Sequence, residues 1–455
     1  MATAAYFHMA THTGLCLPTS RCGRRIGDMQ WLVGSMLSSF RHPTYRWLWL
    51  SNLAASAGRW ALVLILSAQL LQLTHSSFWV GFGLFLTQGP VILLAPYSGV
   101  LADRFDRRTL NVVAASLSAV TTGVLGLLSW LGIVSLLSIL ILSLLFGLSF
   151  VFQMTLRSTL VPSLVPPEKL VNAISLFQVG TQGAQFLGPA LATPLLVKQG
   201  PAAAWSLCAV LYGVAAVLSV FVGERRAPRR QNAGRHRLVA SFHYLRARPL
   251  AWTAIWAVAL HCSLTMAYQG MLPMFVSMDL HAGPSSYGLL LSTIGLGAVI
   301  GSLALARFSD SRYRPALFGL SLVGSGASLS IMGGAPSVGV AVVSGFFVGS
   351  TQAMFMSMTL ALIQTTVEDE FRGRATSFYQ MITLAPMAVL GWGMGGLADV
   401  TEPRPLMVVS GLLFLVVIAA YAALSPQLRR LFNPAGWRQA PLFAPEADVI
   451  ALIVR

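Results

Sequence analysis

Two apolar runs, Trp79–Leu101 and Leu110–Leu131, contain no Asp, Glu, Lys, Arg or His, and between them lies a dense charge cluster, Asp103-Arg104-Phe105-Asp106-Arg107-Arg108. Each run approaches the about 20 residues needed to cross the hydrocarbon of a bilayer. The cluster therefore reads as a charged hinge at a membrane surface, and the rest of the chain has to agree with that reading.

It does so in composition. Of 455 residues, 55% are hydrophobic and only 10% charged, with a mean hydropathy of +0.71, which is the signature of a polytopic membrane protein. The net charge of +16 does not point to nucleic acid. A nucleic-acid binder gathers its cations on one solvated face, and here they fall in short clusters between apolar runs. Twelve spans are expected: Trp47–Leu73, Trp79–Leu101, Leu110–Leu131, Val134–Leu156, Val171–Val197, Ala202–Val222, Leu250–Val276, Tyr287–Ala306, Ala316–Met332, Val338–Ile363, Ala375–Leu397 and Leu406–Leu424. With both termini in the cytoplasm, Arg104, Arg107, Arg108, Arg157, Lys169, Arg307, Arg312, Arg314, Arg372, Arg374 and eight arginines from Arg225 to Arg248 lie inside, and only Lys198 and Arg404 lie outside. That asymmetry obeys the positive-inside rule. Residues 1–40 read as a flexible cytoplasmic tail. Its spacing His8-x3-His12-x3-Cys16-x5-Cys22 matches no specific metal signature, so no metal site is expected. Cys208 and Cys262 fall inside apolar runs, where cysteine is a small core residue.

The halves of the chain align. Val165-Pro-Pro-Glu168-(x4)-Ala173-Ile-Ser175-Leu-Phe-Gln178 matches Val367-Glu-Asp-Glu370-(x4)-Ala375-Thr-Ser377-Phe-Tyr-Gln380 at an offset of 202, and Gly147 falls on Gly349 at the same offset. Gly81 and Asp103 fall on Gly288 and Asp310 at an offset of 207, a difference that a small loop insertion absorbs. The expected organisation is a six-helix bundle over 41–223, a basic cytoplasmic linker over 224–248, a second bundle over 249–425 and a cytoplasmic tail over 426–455.

The pattern Gly99-x-Leu101-Ala102-Asp103-Arg104-x-x-Arg107-Arg108 resembles the signature loop between helices 2 and 3 of the major facilitator superfamily of secondary transporters, with Asp310-Ser-Arg312-Tyr-Arg314 as a degraded copy. The resemblance implies an all-α protein of twelve transmembrane helices in two pseudo-symmetric six-helix bundles. It implies alternating access to a central cavity for a small molecule, in a bacterial cytoplasmic membrane. The stretches Leu164–Leu176, Phe186–Ala192 and Arg372–Gln380 look most like the exporter branch that includes siderophore and drug efflux proteins. An importer, or a receptor or secretion regulator on the same fold, is the alternative. In such relatives Gly99, Asp103, Arg104, Arg107 and Arg108 form a gate, for which Arg157 is a candidate partner of Asp103 and Asp310 the repeat copy. A monomer in contact with membrane lipids, without cofactor, is expected.

Neither Lys169 nor Lys198 stands in a Gly-Lys-Ser/Thr loop, so uphill transport would draw on a proton or other ion gradient rather than ATP. No paired carboxylates or Ser/His/Cys constellation suggests an enzyme. Within the spans, His261 is either a proton acceptor or a neutral ring satisfied by a neighbouring hydroxyl or carbonyl. Gln178, Gln182 and Gln185 fall within about 60° on one face of the fifth span, as substrate contacts or as interhelical glue. Gly188-Pro189 follows, where the missing N–H favours a helix bend. Arg59 lies mid-span with Asn52 on roughly the same face, and no carboxylate stands at that depth. An arginine there costs about 2.5–3.5 kcal/mol on insertion scales. It either lines the cavity and meets an anionic substrate or caps backbone carbonyls and draws in water. Single cysteines at Ser241 and Ser285, in a background lacking native cysteines, should be labelled by an impermeant maleimide from opposite sides of the membrane. Labelling of both from outside would refute the twelve-span topology.

Overall fold

A computed structural model describes residues 38–94, 106–166, 170–223, 245–307, 312–367, 369–433 and 437. Twelve long helices follow one another: α1 Pro43–Thr74, α2 Ser77–Gln88, α3 Arg107–Trp130, α4 Leu136–Leu164, α5 Leu170–Gln199, α6 Pro201–Val220, α7 Pro249–Thr265, α8 Pro284–Arg307, α9 Arg314–Gly333, α10 Val338–Thr366, α11 Asp369–Thr401 and α12 Pro403–Leu424. Eleven of them are long and apolar enough to cross a membrane, α2 with its continuation to Leu94 and α7 with its continuation to Gly270. The remaining helix, α5, carries the glutamines, Asn172 and two internal prolines, Pro189 and Pro194. Its 30 residues still rise about 45 Å, enough to span. Helices dominate because hydrocarbon offers no water to an unpaired N–H or C=O.

Successive helices alternate in direction, so the turns at 75–76, 131–135, 280–283, 334–337 and 402 share one end, the distal end. The described chain starts and finishes at the other, proximal end. α1 packs against α2, α4, α5 and α6, and α3 against α4 and α6; α7 packs against α10, α11 and α12, and α10 against α8 and α9. These are the two six-helix bundles of the fold.

The repeat seen in the sequence reappears as equivalent helix crossings. A Cβ at Gly147 of α4 would lie 2.2 Å from the Leu86 carbonyl oxygen and 3.1 Å from Thr87 Cα of α2. At Gly349 of α10 it would lie 1.8 Å from the Ile294 carbonyl oxygen of α8. Gly349 is Gly147 plus 202 and Ile294 is Thr87 plus 207, so both offsets meet at one symmetric contact. Only glycine allows backbones this close, and in lipid such packing replaces the hydrophobic drive.

Two boundaries differ from expectation. α4 runs eight residues past Leu156, so Arg157 is helical and buried rather than part of an interfacial cluster. The seventh span is broken: α7 stops at Thr265 and continues as a 3-10 turn Ala267–Gly270, a short turn Leu272–Met274 and a π-turn Phe275–Asp279. The amide nitrogen of Gln352 donates 2.7 Å to the Thr265 carbonyl, which satisfies an acceptor freed by the break. Beyond α12 the chain is not wholly a tail. Residues Pro426–Arg430 form a short helix, α13, and Trp437 is buried against Phe318, its indole N–H donating 2.7 Å to the Leu431 carbonyl.

Gly349→Ala should lower the melting temperature of the detergent-solubilised protein, since overpacking costs about 1–3 kcal/mol. Gly213→Ala, where nothing lies within 4 Å of the added carbon, should leave it unchanged or slightly raised. Equal melting for both variants would contradict the close crossing.

Candidate functional site

The bundles meet along α2 with α11 and along α5 with α8. At the distal end the contact is backbone to backbone, since a Cβ on Gly81 would lie 2.8 Å from the Gly391 oxygen. Trp392 of α11 packs on Phe82 and Phe85 of α2 at centroid distances of 5.0 and 5.4 Å. Above this seam Asp399 of α11 reaches across the bundle boundary to the start of α2. Its carboxylate accepts the Ser77 N–H at 2.6 Å, the Phe78 N–H at 3.1 Å and the Ser76 hydroxyl. A helix start carries unpaired N–H groups and a positive dipole end, so a carboxylate of the second bundle caps a helix of the first. A neighbouring ion pair, Arg404 to Asp279 at 3.3 Å, lies wholly within the second bundle. Burial pushes the Asp279 carboxyl up, and Arg404 pulls against that shift.

Nearer the middle of the bilayer, α8 crosses α5 with the Gly295 Cβ position 2.5 Å from backbone atoms of Gln185 and Phe186. The glutamine face is set by what the other side of α5 does. Along α1, Tyr45, Trp49 and Asn52 donate to carbonyls of Ala173, Leu176 and Phe177 at 2.7, 2.8 and 3.5 Å, and Asn52 also to the Thr181 hydroxyl at 2.9 Å. At about 100° per residue, Gln178, Gln182 and Gln185 lie on the side of α5 away from this ladder, toward the second bundle. Gln178 is exposed and the other two half-buried. Asn52 is buried in the α1–α5 contact, so it is not brought to the cleft. Gly188 packs against Ala57 and Ala61 of α1, and α5 continues through Pro189 without interruption.

Arg59 is partly buried between α1, α2 and α4. Its guanidinium donates 3.1 Å to Gln88 Oε1 and lies 4.2 Å from the Phe150 ring centroid. Gln88 in turn lines a small void of about 10 Å³ at the bundle boundary, room for about one water molecule, with Gln269 of the broken seventh span also lining it. An amide oxygen and an aromatic face soften the cost of the charge but leave it unneutralised. Among the described residues no carboxylate contacts it.

The other expected positions separate. His261 is fully buried inside the second bundle, its Nε2 2.9 Å from the Ser325 hydroxyl and its ring against Phe355 and Phe414. It belongs to that bundle's core rather than to the cleft, because helices α9, α10 and α12 enclose it. Arg157 donates 2.5 Å to Gln153, which bonds to Ser118 at 2.7 Å. Ser149, Gln153 and Arg157 stand four residues apart, a polar stripe readable in the sequence once α4 is known to reach Leu164. Arg107 and Arg108 open α3, where Asp106 caps the helix by accepting the Thr109 N–H at 2.8 Å. Gly99, Asp103, Arg104 and Asp310 lie outside the described residues, as do His8, His12, Cys16 and Cys22. Asp399, Gln88 and Gln269 were not singled out from sequence. Asp399 sits at a helix end where an acid looks like an ordinary boundary residue.

Residues 34–443 match the family of transmembrane secretion effectors. The chain belongs to this branch of the major facilitator superfamily. Secretion-effector relatives include the enterobactin exporters EntS of Citrobacter koseri, 26% identical over 411 residues covering 89% of this chain and 97% of that protein, and of Salmonella typhimurium, 26% identical over 420 residues covering 90% and 97%. Similar solved structures are a POT family transporter in complex with 5-aminolevulinic acid, at a TM-score of 0.68 and 12% identity over 84% of this chain and 96% of that one, and the nucleoside transporter NupG, at 0.65 and 12% over 84% and 99%. At that identity they carry the fold alone. This secretion effector is a membrane transporter, not an enzyme, and its expected all-α architecture holds.

The distal clasp makes a prediction. A helix cap is worth about 1–2 kcal/mol, so Asp399→Ala should raise the distal-open fraction about five- to thirty-fold. A cysteine at Gln269 would report it as faster labelling from the distal side, and unchanged labelling would show that the clasp holds nothing shut.

Proposed function

We propose that this transporter exports a small organic anion, siderophore-like in its acidity, across the inner membrane of a bacterium by rocking its two bundles around a cleft lined by Arg59 and the α5 glutamines. The observation that carries the reading is Arg59: a permanent charge within α1 whose contacts among the described residues are an amide oxygen and the ring faces of Phe150 and Trp60. A bound carboxylate or other acidic oxygen would supply the missing countercharge through charge-assisted hydrogen bonds, which are roughly twice as strong as neutral ones. Gln178, Gln182 and Gln185 would add amide donors and acceptors along the path. The likeness to enterobactin exporters supports an outward direction, and the clustering of arginines at the proximal end supports a cytoplasmic proximal end.

With the proximal end inside, the conformation described is sealed outward by Asp399 and the α2–α11 seam. This is the state in which an exporter would load from the cytoplasm. Substrate would displace Gln88 from Arg59 and draw α1, α2 and α5 toward the second bundle, closing the proximal side while the distal cap on α2 releases. The loop carrying Gly99, Asp103, Arg104, Arg107 and Arg108, with Asp310 in the repeat, would hold the proximal side in the alternate state. An ion gradient would drive the cycle.

Arg59→Gln should raise the apparent KM for an acidic substrate about tenfold or more, with kcat and abundance little changed, because a hydrogen bond to a charged group is worth about 1.5–3 kcal/mol. Enterobactin release from cells lacking other exporters provides the first assay, and inside-out vesicles with an acidic compound and its methyl ester provide the second. An equal effect on acid and ester would remove Arg59 from substrate recognition.

A further inference from the structure

Three sulfur atoms meet inside the second bundle. Cys262 of α7 is fully buried, and its Sγ lies 3.9 Å from Sδ of Met266 and 3.9 Å from Sδ of Met356 on α10. Cys262 and Met266 stand four residues apart, which puts both on one face at the end of α7. Met354, Met356 and Met358 alternate along α10, so at about 100° per residue they point to different sides, and it is Met356 that reaches the thiol. The register is held from the next turn, where Gln352 donates to the carbonyl of Thr265 beside Met266.

Cys208 provides the contrast within the same chain. It is equally buried, and its thiol donates to the Gly58 carbonyl at 3.6 Å. Cys262 instead faces two thioethers. A thiol has one proton and thioether sulfur is a weak acceptor, so that proton serves one methionine at a time. A cation between the sulfurs would serve all three. A metal bound to thiolate sulfur at about 2.3 Å, with the about 120° angles of a trigonal site, holds its sulfurs about 4.0 Å apart. Two of the three separations already meet that requirement. Methionine is unbranched with three rotatable bonds, so rotation of Met266 and Met356 brings their sulfurs into the third.

The donor set decides which metal fits. Thiolate and thioether sulfur are soft ligands and select Cu(I). Among the described residues no three His, Cys, Asp or Glu side chains gather into a metal-binding group, and His261, next in the chain, turns away to Ser325. Access is open, since Met266 and Met356 are half-buried with the thiol behind them. Tyr379 of α11 steadies one ligand, donating 2.9 Å to the Met356 carbonyl with its hydroxyl 3.6 Å from Sδ. On binding, Cys262 gives its thiol proton to water as the sulfur bonds Cu(I), and the metal stays monovalent. The product is neutral, which suits an apolar interior where an uncompensated charge is costly.

We propose that Cys262, Met266 and Met356 form a three-sulfur site for a soft monovalent metal ion, Cu(I) or its analogue Ag(I). The ion would fasten the broken end of α7 to α10. The site lies in the second bundle, apart from Arg59 in the first, and stands whether or not Arg59 meets an anion.

The full-length protein carrying Cys16→Ser and Cys22→Ser, so that Cys208 and Cys262 remain, is purified in detergent and titrated with Ag(I) in chloride-free buffer. Native mass spectrometry should show one tightly held ion per chain, and Cu(I) should be retained against bathocuproine disulfonate under anaerobic reductant. Met266→Leu and Met356→Leu conserve volume, and each should weaken retention at least about tenfold, since even the outer partners of metal ligands are worth about 10–100-fold. Cys262→Ser should abolish retention and Cys208→Ser should leave it unchanged. Added Ag(I) should raise the melting temperature of the parent but not of Cys262→Ser, while the metal-free methionine variants should melt with the parent. Absence of a held ion, retention that survives Cys262→Ser, or retention unaffected by both methionine variants would overturn the proposal, the last because it would leave a lone thiol.

Discussion

Hydrocarbon contains nothing to bond with, and the rest of the structure follows from that. Every backbone N–H and C=O in the membrane must find its partner inside the chain, which makes the spans helical. Where the ladder fails, as at Thr265, a side chain is supplied: Gln352 bonds the freed carbonyl. The same rule governs side chains. Many Ser, Thr, Asn, Gln and Tyr side chains of the described spans bond carbonyls or one another, though the buried Ser143 hydroxyl has no partner, and the ladder of Tyr45, Trp49 and Asn52 uses three bonds to carbonyls to strap α1 to α5.

Apolar burial cannot drive helices together in lipid as it does in water, so the helix contacts depend on close approach. Gly147 and Gly349 occupy equivalent crossings within the two bundles, and Gly81 with Gly391 does the same between them. The contact between bundles has a different character from that within them. It combines small residues with an electrostatic cap, Asp399 on α2, which can break without exposing a large apolar core. A bistable machine requires a boundary of this kind, tight enough to seal and weak enough to reopen. The transport reading rests on that boundary and on Arg59, a cation that no carboxylate contacts among the described residues, set beside it through Gln88.

The internal repeat was legible because gene-level duplication leaves matching residues at constant offset. The clasp was not, since it depends on a pairing between Ser77 and Asp399, 322 positions apart. His261 shows the limit of reading depth without direction. Its position within the span was clear, but whether the ring pointed to cleft or core depended on the rotation of α7 against Ser325, Phe355 and Phe414. Asn52 shows the same limit, with Thr181 as the deciding neighbour.

The sequence by itself determined the class of protein, the number of spans, the two-fold repeat and the burial of a charge at Arg59. Hydropathy, spacing and charge are properties of each segment alone and survive any packing. Tertiary structure decided which face of each helix meets which neighbour, where α4 ends, where the seventh span breaks and which polar residues are glue rather than lining. Those outcomes depend on helix rotation about its axis, and in lipid an amphipathic period fixes that rotation only weakly because both faces are apolar. Contacts of a few ångströms between distant residues then settle it.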